Sequence, residues 1–318
     1  MLLMKESFSA RGLAATDAYG NAPSKLQRLQ RVAVAVDIHD SLDSALHFAW
    51  HIAQKVGATL EVVYVMDDIF GGYTPFTNAL IPAFKDSIQI ELEGFIRKNL
   101  SVLDVHFDSN MLDTPSSQDR PALLPKVIYG FPDIALEVYS KELDLLIVGT
   151  SGQGAIGKKL FGSISAELSK RAHCPVLLVP PDAAFRGLQN VLYASNFDSL
   201  STLRIQQAIA FAQHFNGQLH FVHVGQSIEK EAPLERFLFE SHYREAHPTQ
   251  PFLFTKMLSD DVTGALYEYA FYHQIELLVF VTHQRSFWDN ILHRSVTGKA
   301  ALTSELPILV IHGDGDTL

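Results

Sequence analysis

Three glycines and a serine form the pattern in this sequence that is best suited to chemistry. Gly149 follows an apolar run that ends at Val148, Gly152 comes three residues later, and Gly162-Ser163 follows after nine more residues. A glycine at a strand end lets a ligand approach the backbone closely, because it has no Cβ. The first amides of a helix are unpaired and carry positive partial charge. The pattern therefore predicts a site for a di- or triphosphate at a strand-to-helix loop.

Other side chains in and after this loop suit the same ligand. Ser163 and Ser165 add hydroxyl donors, and Lys158 and Lys159 add positive charge. The alternative interpretation is a glycine-rich turn that binds nothing. The sequence contains no G-x4-G-K-[ST] loop, and no base is evident beside a γ-phosphate. We therefore do not expect efficient phosphoryl transfer.

The elements that must position this loop form an α/β pattern. Apolar runs at 32–36, 60–65, 145–148 and 176–179 are typical of strands that are covered on both faces, and amphipathic stretches lie between them. Such alternation predicts a parallel sheet with right-handed crossovers. Ligands of these sheets bind beyond the carboxyl ends of the strands. We therefore expect the functional residues at the ends of these runs.

Two residues at strand ends complete the candidate site. Asp37 follows the first run, and its carboxylate can accept hydrogen bonds from a ligand at that strand end. The alternative for Asp37 is a turn-forming residue. Val65 ends the second run and offers an apolar wall. A helix is predicted from residue 41 to residue 56, with Ser41 or Asp40 as its cap.

The sequence also repeats itself. Asp144–Val179 aligns without gaps with Glu276–Ile311, and Val32–Asp37 aligns with Val191–Asn196. Repeats of this size indicate two copies of one structural unit. The first copy is longer in its middle, so its surplus is expected to form an additional segment there.

The repeat sets the predicted domain boundaries. Residues 1–30 are expected to form a flexible N-terminal tail, residues 31–181 the first domain, and residues 187–318 the second domain. Pro180, Pro181 and the residue after them mark the linker.

Four features of the first copy occur together: the glycine pattern, VAVAVD ending in Asp37, Gly130-Phe-Pro132 before a helix, and a final Pro-Val-Leu-Leu-Val strand. In this combination they resemble the universal stress protein family. The resemblance implies an adenine nucleotide alpha-hydrolase-like fold. This is a doubly wound, Rossmann-like α/β domain with a five-stranded parallel sheet, present here as two tandem copies packed as an intramolecular pseudo-dimer. It also implies bound ATP, with or without Mg²⁺, although AMP or another adenine nucleotide fits the same residues. The nucleotide-binding residues that it implies are Asp37, Val65, Val148, Gly149, Gly152, Gly162, Ser163, Ile164 and Ser165.

The second copy departs from this pattern at the loop. Val281, Gln284 and Arg294 stand where the first copy has its three glycines, Ser295 aligns with Ser163, and Asn196 replaces the aspartate. The loop is therefore not expected to form a backbone cradle, and we predict no ATP there. In the family the last strands pair across a dimer, so the second copy is expected to act as a built-in partner for the first.

Composition limits the remaining classes of function. The chain has 318 residues and a net charge of −10, which argues against nucleic acid or an anionic membrane as a partner. Its single cysteine, Cys174, cannot form an internal disulfide, so a cytoplasmic location is predicted. His47 and His51 share one helix face, but without a third ligand we interpret them as part of a polar helix face and predict no metal site.

We therefore expect a stress-response regulator or adaptor that binds ATP in its first copy and has an unidentified protein partner. Whether two chains form a homodimer is left open. The alternatives are a weak ATPase or autophosphorylating protein, and a scaffold that binds no nucleotide.

Overall fold

The computed structural model describes residues 24–40, 43–66, 75–103, 105, 120–150, 162–194, 202–225, 244–245, 247–281 and 306–312, with side chains from residue 85 in the second helix and from residue 204 in the fifth. The strands are β1 (Arg31–Ala35), β2 (Thr59–Met66), β3 (Ala122–Tyr129), β4 (Leu145–Gly149), β5 (Val176–Val179), β6 (Asn190–Ala194), β7 (Gln218–Gly225), β8 (Phe252–Leu258), β9 (Leu277–Val281) and β10 (Ile308–Ile311). The helices are α1 (Ser44–Val56), α2 (Pro75–Ser101), α3 (Pro132–Tyr139), α4 (Ser163–Arg171), α5 (Thr202–His214) and α6 (Val262–Tyr272).

All ten strands belong to one sheet, in the order β3-β2-β1-β4-β5-β10-β9-β6-β7-β8. Within each half every neighbouring pair is parallel, and the strand order of the second half mirrors that of the first. The halves join where β5 and β10 pair antiparallel, with Leu177 opposite Leu309. The predicted fold class is confirmed: two tandem doubly wound α/β units form an intramolecular pseudo-dimer.

The sheet is buried on both faces, as its apolar strands predict. Val32 and Val34 of β1 point into a core formed with α1, α2 and α5, whereas Ala33 between them points into a second core formed with α3, α4 and α6. Cys174, just before β5, lies in the second core with 1% of its surface exposed. None of the helices in the described ranges is both long enough and apolar enough to cross a membrane.

Helix α1 begins later than the sequence predicts. Its cap is Asp43, whose carboxylate accepts a hydrogen bond from the Leu46 N–H at 3.0 Å, so the predicted caps Ser41 and Asp40 are wrong. The helix ends at Gly57, which adopts φ 70°, a left-handed conformation that favours glycine. Buried Asn99 of α2 holds the start of α1 by accepting from the Asp43 N–H at 2.9 Å.

The folded chain begins before the predicted domain boundary at residue 31. Lys25–Gln27 form a short 3-10 helix, and Leu26 and Leu29 are buried in the core that α5 shares. We call residues 24–30 the strap. The prediction of a flexible tail up to residue 30 is therefore wrong for the strap, because two leucines there are removed from water. The rest of that predicted tail lies outside the described residues.

A buried carboxylate ties three elements of the first copy together. Glu61 of β2 has 2% of its side chain exposed and accepts from Arg31 Nε at 2.9 Å, from Lys126 Nζ at 3.2 Å and from the Tyr139 hydroxyl. Burial alone would raise the pKa of Glu61, but the hydrogen bonds from Arg31, Tyr139 and Lys126 lower it below its usual value. His220 occupies the matching place in β7, where it bonds the Tyr269 hydroxyl, so the second copy fills this position without the carboxylate.

We predict that Glu61→Gln lowers the free energy of unfolding at pH 7 by about 1–3 kcal/mol, because two cations lose their charged partner. The lowered pKa means that ionised Glu61 stabilises the fold above its unfolded pKa and that this contribution is lost as pH falls through the folded pKa. The difference between variant and wild type, measured by urea denaturation, should therefore shrink below about pH 4. Glu142→Gln is the matched control, since Glu142 is an exposed partner of the same Arg31. Equal effects of the two substitutions would contradict this assignment.

Candidate functional site

The sheet brings the predicted site residues of β1, β2 and β4 to one edge. Ala35 at the end of β1 lies opposite Val63 of β2 and Val148 of β4 in the register. Because these strands are parallel, the residues that follow them emerge side by side at their carboxyl ends. Asp37 and Val65 therefore lie at the same edge as the start of the glycine loop, as the sequence predicts.

Asp37 forms a turn at this edge. Its Oδ1 accepts from the His39 N–H at 3.0 Å, and its carbonyl accepts from the Asp40 N–H at 3.1 Å. The turn-forming role that the sequence left open is thus present. A carboxylate has about four acceptor positions, so the turn is compatible with further hydrogen bonds to a ligand. Val65 is half-buried and packs against the second core, which is compatible with an apolar wall.

The two ends of the glycine loop are joined by hydrogen bonds at Thr150 and Gly162, and we call these two residues the neck. Val148 is buried, and Gly149 after it is exposed. Thr150 then donates its N–H to the Val179 carbonyl at 2.9 Å and accepts from the Gly162 N–H at 2.7 Å. Thr150 therefore joins the first and last parts of the loop to β5, a role that the sequence analysis missed. Gly152, with the rest of residues 151–161, lies outside the described residues.

Helix α4 begins directly after the neck, at Ser163. Gly162 is the cap residue and offers no side chain to the first-turn amides. Ser163 and Ile164 are exposed, so they face the space beyond the neck. Ser165, in contrast, is buried and donates its hydroxyl to the Gly162 carbonyl at 3.0 Å. The structure thus places Ser163 at the surface of the candidate site and Ser165 beneath it.

No described residue packs so closely against Gly162 that a Cβ would be excluded there. Gly162 has φ −68° and ψ 164°, an extended conformation open to any residue. A Cβ built there would meet the Thr150 carbonyl at 3.5 Å and Ser165 Oγ at 3.9 Å, which are ordinary van der Waals contacts. Packing against the part of the chain that the structure describes therefore does not explain why a glycine stands at this position.

The second copy repeats the strand geometry but carries a different residue at the strand end. Val281 ends β9 and pairs with Ile311, as Gly149 ends β4 and pairs with Val179. The register thus confirms that Val281 stands where the first copy has Gly149. The other departures predicted for this copy, at Asn196, Gln284, Arg294 and Ser295, lie outside the described residues.

The histidines on α1 take part in packing. His47 Nε2 donates to the Asn99 carbonyl at 3.1 Å, and the His51 ring stacks on Phe185 with centroids 4.8 Å apart. Burial lowers the pKa of both rings, which favours their neutral forms. Within the described residues, no group of three or more histidine, cysteine, aspartate or glutamate side chains is arranged to hold a metal ion.

Comparisons with known proteins agree with this arrangement. The sequence model of the universal stress protein family matches residues 127–180. A universal stress protein of Mycobacterium tuberculosis is 23% identical over 201 residues, covering 58% of this chain and 67% of the relative. One from Methanocaldococcus jannaschii is 26% identical over 161 residues, covering 47% of this chain and 81% of the relative. The crystal structure of a universal stress protein from Archaeoglobus fulgidus aligns with a TM-score of 0.60 at 15% identity, covering 91% of this chain and 99% of that chain.

The structural likeness extends over both halves of the chain and defines the class: a tandem α/β protein with a doubly wound parallel sheet. The matched sequence segments include the end of β3, the neck and the whole of α4 and β5. Residues 127–180 thus match the sequence model of the universal stress protein family, and the chain is similar to members of that family in sequence and in fold.

Asp43 is a second residue that the sequence analysis missed. Its pKa is raised to about 6, because burial penalises the charged carboxylate and Asp40 and Asp37 add repulsion. The sequence could not identify it, because Asp40, Ser41 and Asp43 can all cap a helix, and the start at Ser44 is known only from the structure.

We predict that Asp43→Asn removes a pH dependence of stability. In the unfolded chain the aspartate ionises near pH 4, whereas in the folded protein it ionises near pH 6. Wild-type stability should therefore fall as pH rises from about 4 to about 6, by about 1–3 kcal/mol. Asparagine retains the cap without the charge, so the variant should lack this decrease, as measured by urea denaturation across that range. Asp261→Asn, at the exposed cap of α6, controls for the exchange of the capping group. The same pH slope in wild type and Asp43→Asn would refute the assignment.

Proposed function

We propose that the first copy binds an adenine nucleotide, ATP being the expected ligand, and that the protein is a stress-response regulator or adaptor. The observation that carries this proposal is the N-terminus of α4. It opens at the carboxyl edge of the sheet beside Gly149, its cap is Gly162, and Ser163 is exposed there. An anion at this position meets unpaired amides and the positive end of the helix dipole.

The capping of α1 and α6 differs from that of α4 and supports this proposal. Helix α3 also has no capping side chain, but it carries Asp133 in its first turn. At the start of α1 the Asp43 carboxylate accepts from the first turn, and at the start of α6 the Asp261 carboxylate accepts from the Gly264 N–H at 3.0 Å. In both cases a side-chain anion occupies the place that favours negative charge. The glycine cap of α4 leaves that place for a ligand. This difference, together with a glycine that its described neighbours do not require, favours phosphate binding over a turn that binds nothing.

The remaining residues of the proposed site suit the nucleoside. Asp37 would accept hydrogen bonds from adenine or ribose, and Val65 with Val148 would contribute apolar contact near the base. Gly149, Gly152 and Gly162 would let the backbone approach the phosphates, with donors from Ser163 and the amides of Ile164 and Ser165. Mg²⁺ would accompany the phosphates as a counterion rather than bind a site of its own. We also propose that the protein is cytoplasmic, and that a partner protein distinguishes its nucleotide-bound form from its nucleotide-free form.

The proposed role is binding rather than efficient catalysis. Phosphoryl transfer needs a group that orients or deprotonates the attacking nucleophile. Among the described residues at this edge, Asp37 already forms a turn and Ser165 is buried. Slow hydrolysis or autophosphorylation would therefore be a minor activity of a protein whose main property is to hold the nucleotide.

We predict that Gly149→Val weakens ATP binding about tenfold or more, because bulk replaces the close backbone approach. The second copy carries Val281 at the equivalent strand end. The variant should therefore fold with a free energy of unfolding within about 1 kcal/mol of wild type. Isothermal titration with ATP, with and without Mg²⁺, measures affinity and stoichiometry, and one nucleotide per chain is expected.

Gly94→Ala is the matched control, because Gly94 lies in α2 and a Cβ there meets nothing within 4 Å. It should leave ATP affinity unchanged. Two nucleotides per chain would contradict the predicted loss of binding in the second copy. No binding by the wild type at millimolar ATP would leave a scaffold whose glycines only shape a turn. Phosphate release or self-labelling well above background, abolished in Gly149→Val, would instead favour the enzyme.

A further inference from the structure

The C-terminal end of α4 is held by residues from both ends of the described chain. His312, which follows β10 in the second copy, donates from Nε2 to the Ser169 carbonyl in the last turn of α4 at 3.0 Å. Lys25 of the strap donates from Nζ to the His173 carbonyl, just beyond the helix, at 3.1 Å. Neither residue lies between β1 and β5, so the helix of the proposed phosphate site is anchored from outside its own copy.

The contact of His312 is a direct bond between the two copies. A carbonyl oxygen only accepts, so His312 carries its proton on Nε2 when it makes this bond. The last carbonyls of a helix have no partner within the helix and carry negative partial charge. A donor from the second copy therefore satisfies the end of α4 opposite to the proposed nucleotide.

The strap links the second copy to the same end of α4 through further hydrogen bonds. His214 of α5 donates from Nε2 to the Leu26 carbonyl at 2.9 Å, and the Leu26 side chain is fully buried. The neighbouring Lys25 reaches the Leu143 carbonyl at 2.8 Å as well as His173. The strap thus connects α5 of the second copy with the turn that follows α4.

The other side of the loop is also connected to the second copy. Thr150 at the neck bonds Val179 of β5, and β5 pairs with β10 over Val176–Leu178. Helix α4 has nine residues and is about 13 Å long. Ser169 and Gly162 therefore lie at opposite ends of one short element, and the neck joins that element to the strand that pairs with the second copy.

We propose that the second copy positions the nucleotide site of the first copy, with His312 as the positioning residue that holds α4. This inference rests on the proposed function. It gives the copy that has lost the glycine loop a role in setting affinity. Because coupling between two equilibria is reciprocal, the nucleotide must in turn strengthen the attachment of the second copy to α4.

The first test measures ATP affinity by isothermal titration for wild type, His312→Ala and His312→Gln. Loss of one hydrogen bond that fixes α4 should weaken ATP binding about three- to tenfold in His312→Ala. The amide of His312→Gln can donate to the same carbonyl and should restore most of the affinity. His273→Ala is the control, because His273 belongs to the second copy and its ring stacks on Tyr269 of α6, far along the sheet from β10. It should bind ATP as the wild type does.

The second test measures hydrogen exchange with and without ATP in wild type and His312→Ala. If the copies are coupled, ATP should slow exchange in β10 and in the residues around Leu26, and this protection should be reduced in His312→Ala. A merely structural His312 would change stability without changing the response to ATP. If His312→Ala fails to fold, His312→Leu, which keeps side-chain bulk but cannot donate, replaces it in both tests.

The outcomes separate the two proposals. No ATP binding by the wild type overturns the proposed function and this inference with it. Wild-type binding with equal affinity in His312→Ala, or with no change in β10 protection, overturns the inference alone and leaves the nucleotide site standing.

Discussion

The antiparallel pairing of β5 with β10 is the constraint on which the rest of the structure depends. It joins two five-stranded halves into one sheet, and it covers two apolar strand edges that would otherwise be exposed. Both cores continue across this junction, so neither half buries its apolar residues alone. The glycine loop is tied to the same junction, because Thr150 bonds the last residue of β5.

This junction also explains how the two copies could diverge. Each copy meets the same partner at an effective concentration set by the chain itself and not by how much protein is present. One copy can then change its loop without giving rise to mixed pairs. The replacement of the Glu61 cluster by His220 and Tyr269 shows that divergence has reached the interior as well as the loop.

The fold could be predicted from the sequence because buried parallel strands leave a plain signal of short apolar runs. Four strands of the first copy fell at or within a residue of the predicted runs, whereas β3 matches none of them, and the glycine loop fell between a strand and a helix. The helix cap was mispredicted because three polar residues with capping ability lie close together, and only packing against Asn99 selects Asp43. The strap was missed because two leucines among polar residues have no periodicity, and their burial depends on α5, far away in the chain. Within the site, the sequence identified residue types but could not show that Ser165 turns inward.

Cys174 has a consequence for the kind of stress that this protein could register. Burial in the second core raises the pKa of its thiol to about 12, so the sulfur stays protonated at neutral pH. Peroxides and disulfides react with thiolates, not with protonated thiols. Cys174 is the only cysteine in the chain. Oxidants that act through thiolates therefore have no reactive cysteine to attack in this sequence, and Cys174 acts as a small apolar residue of the core.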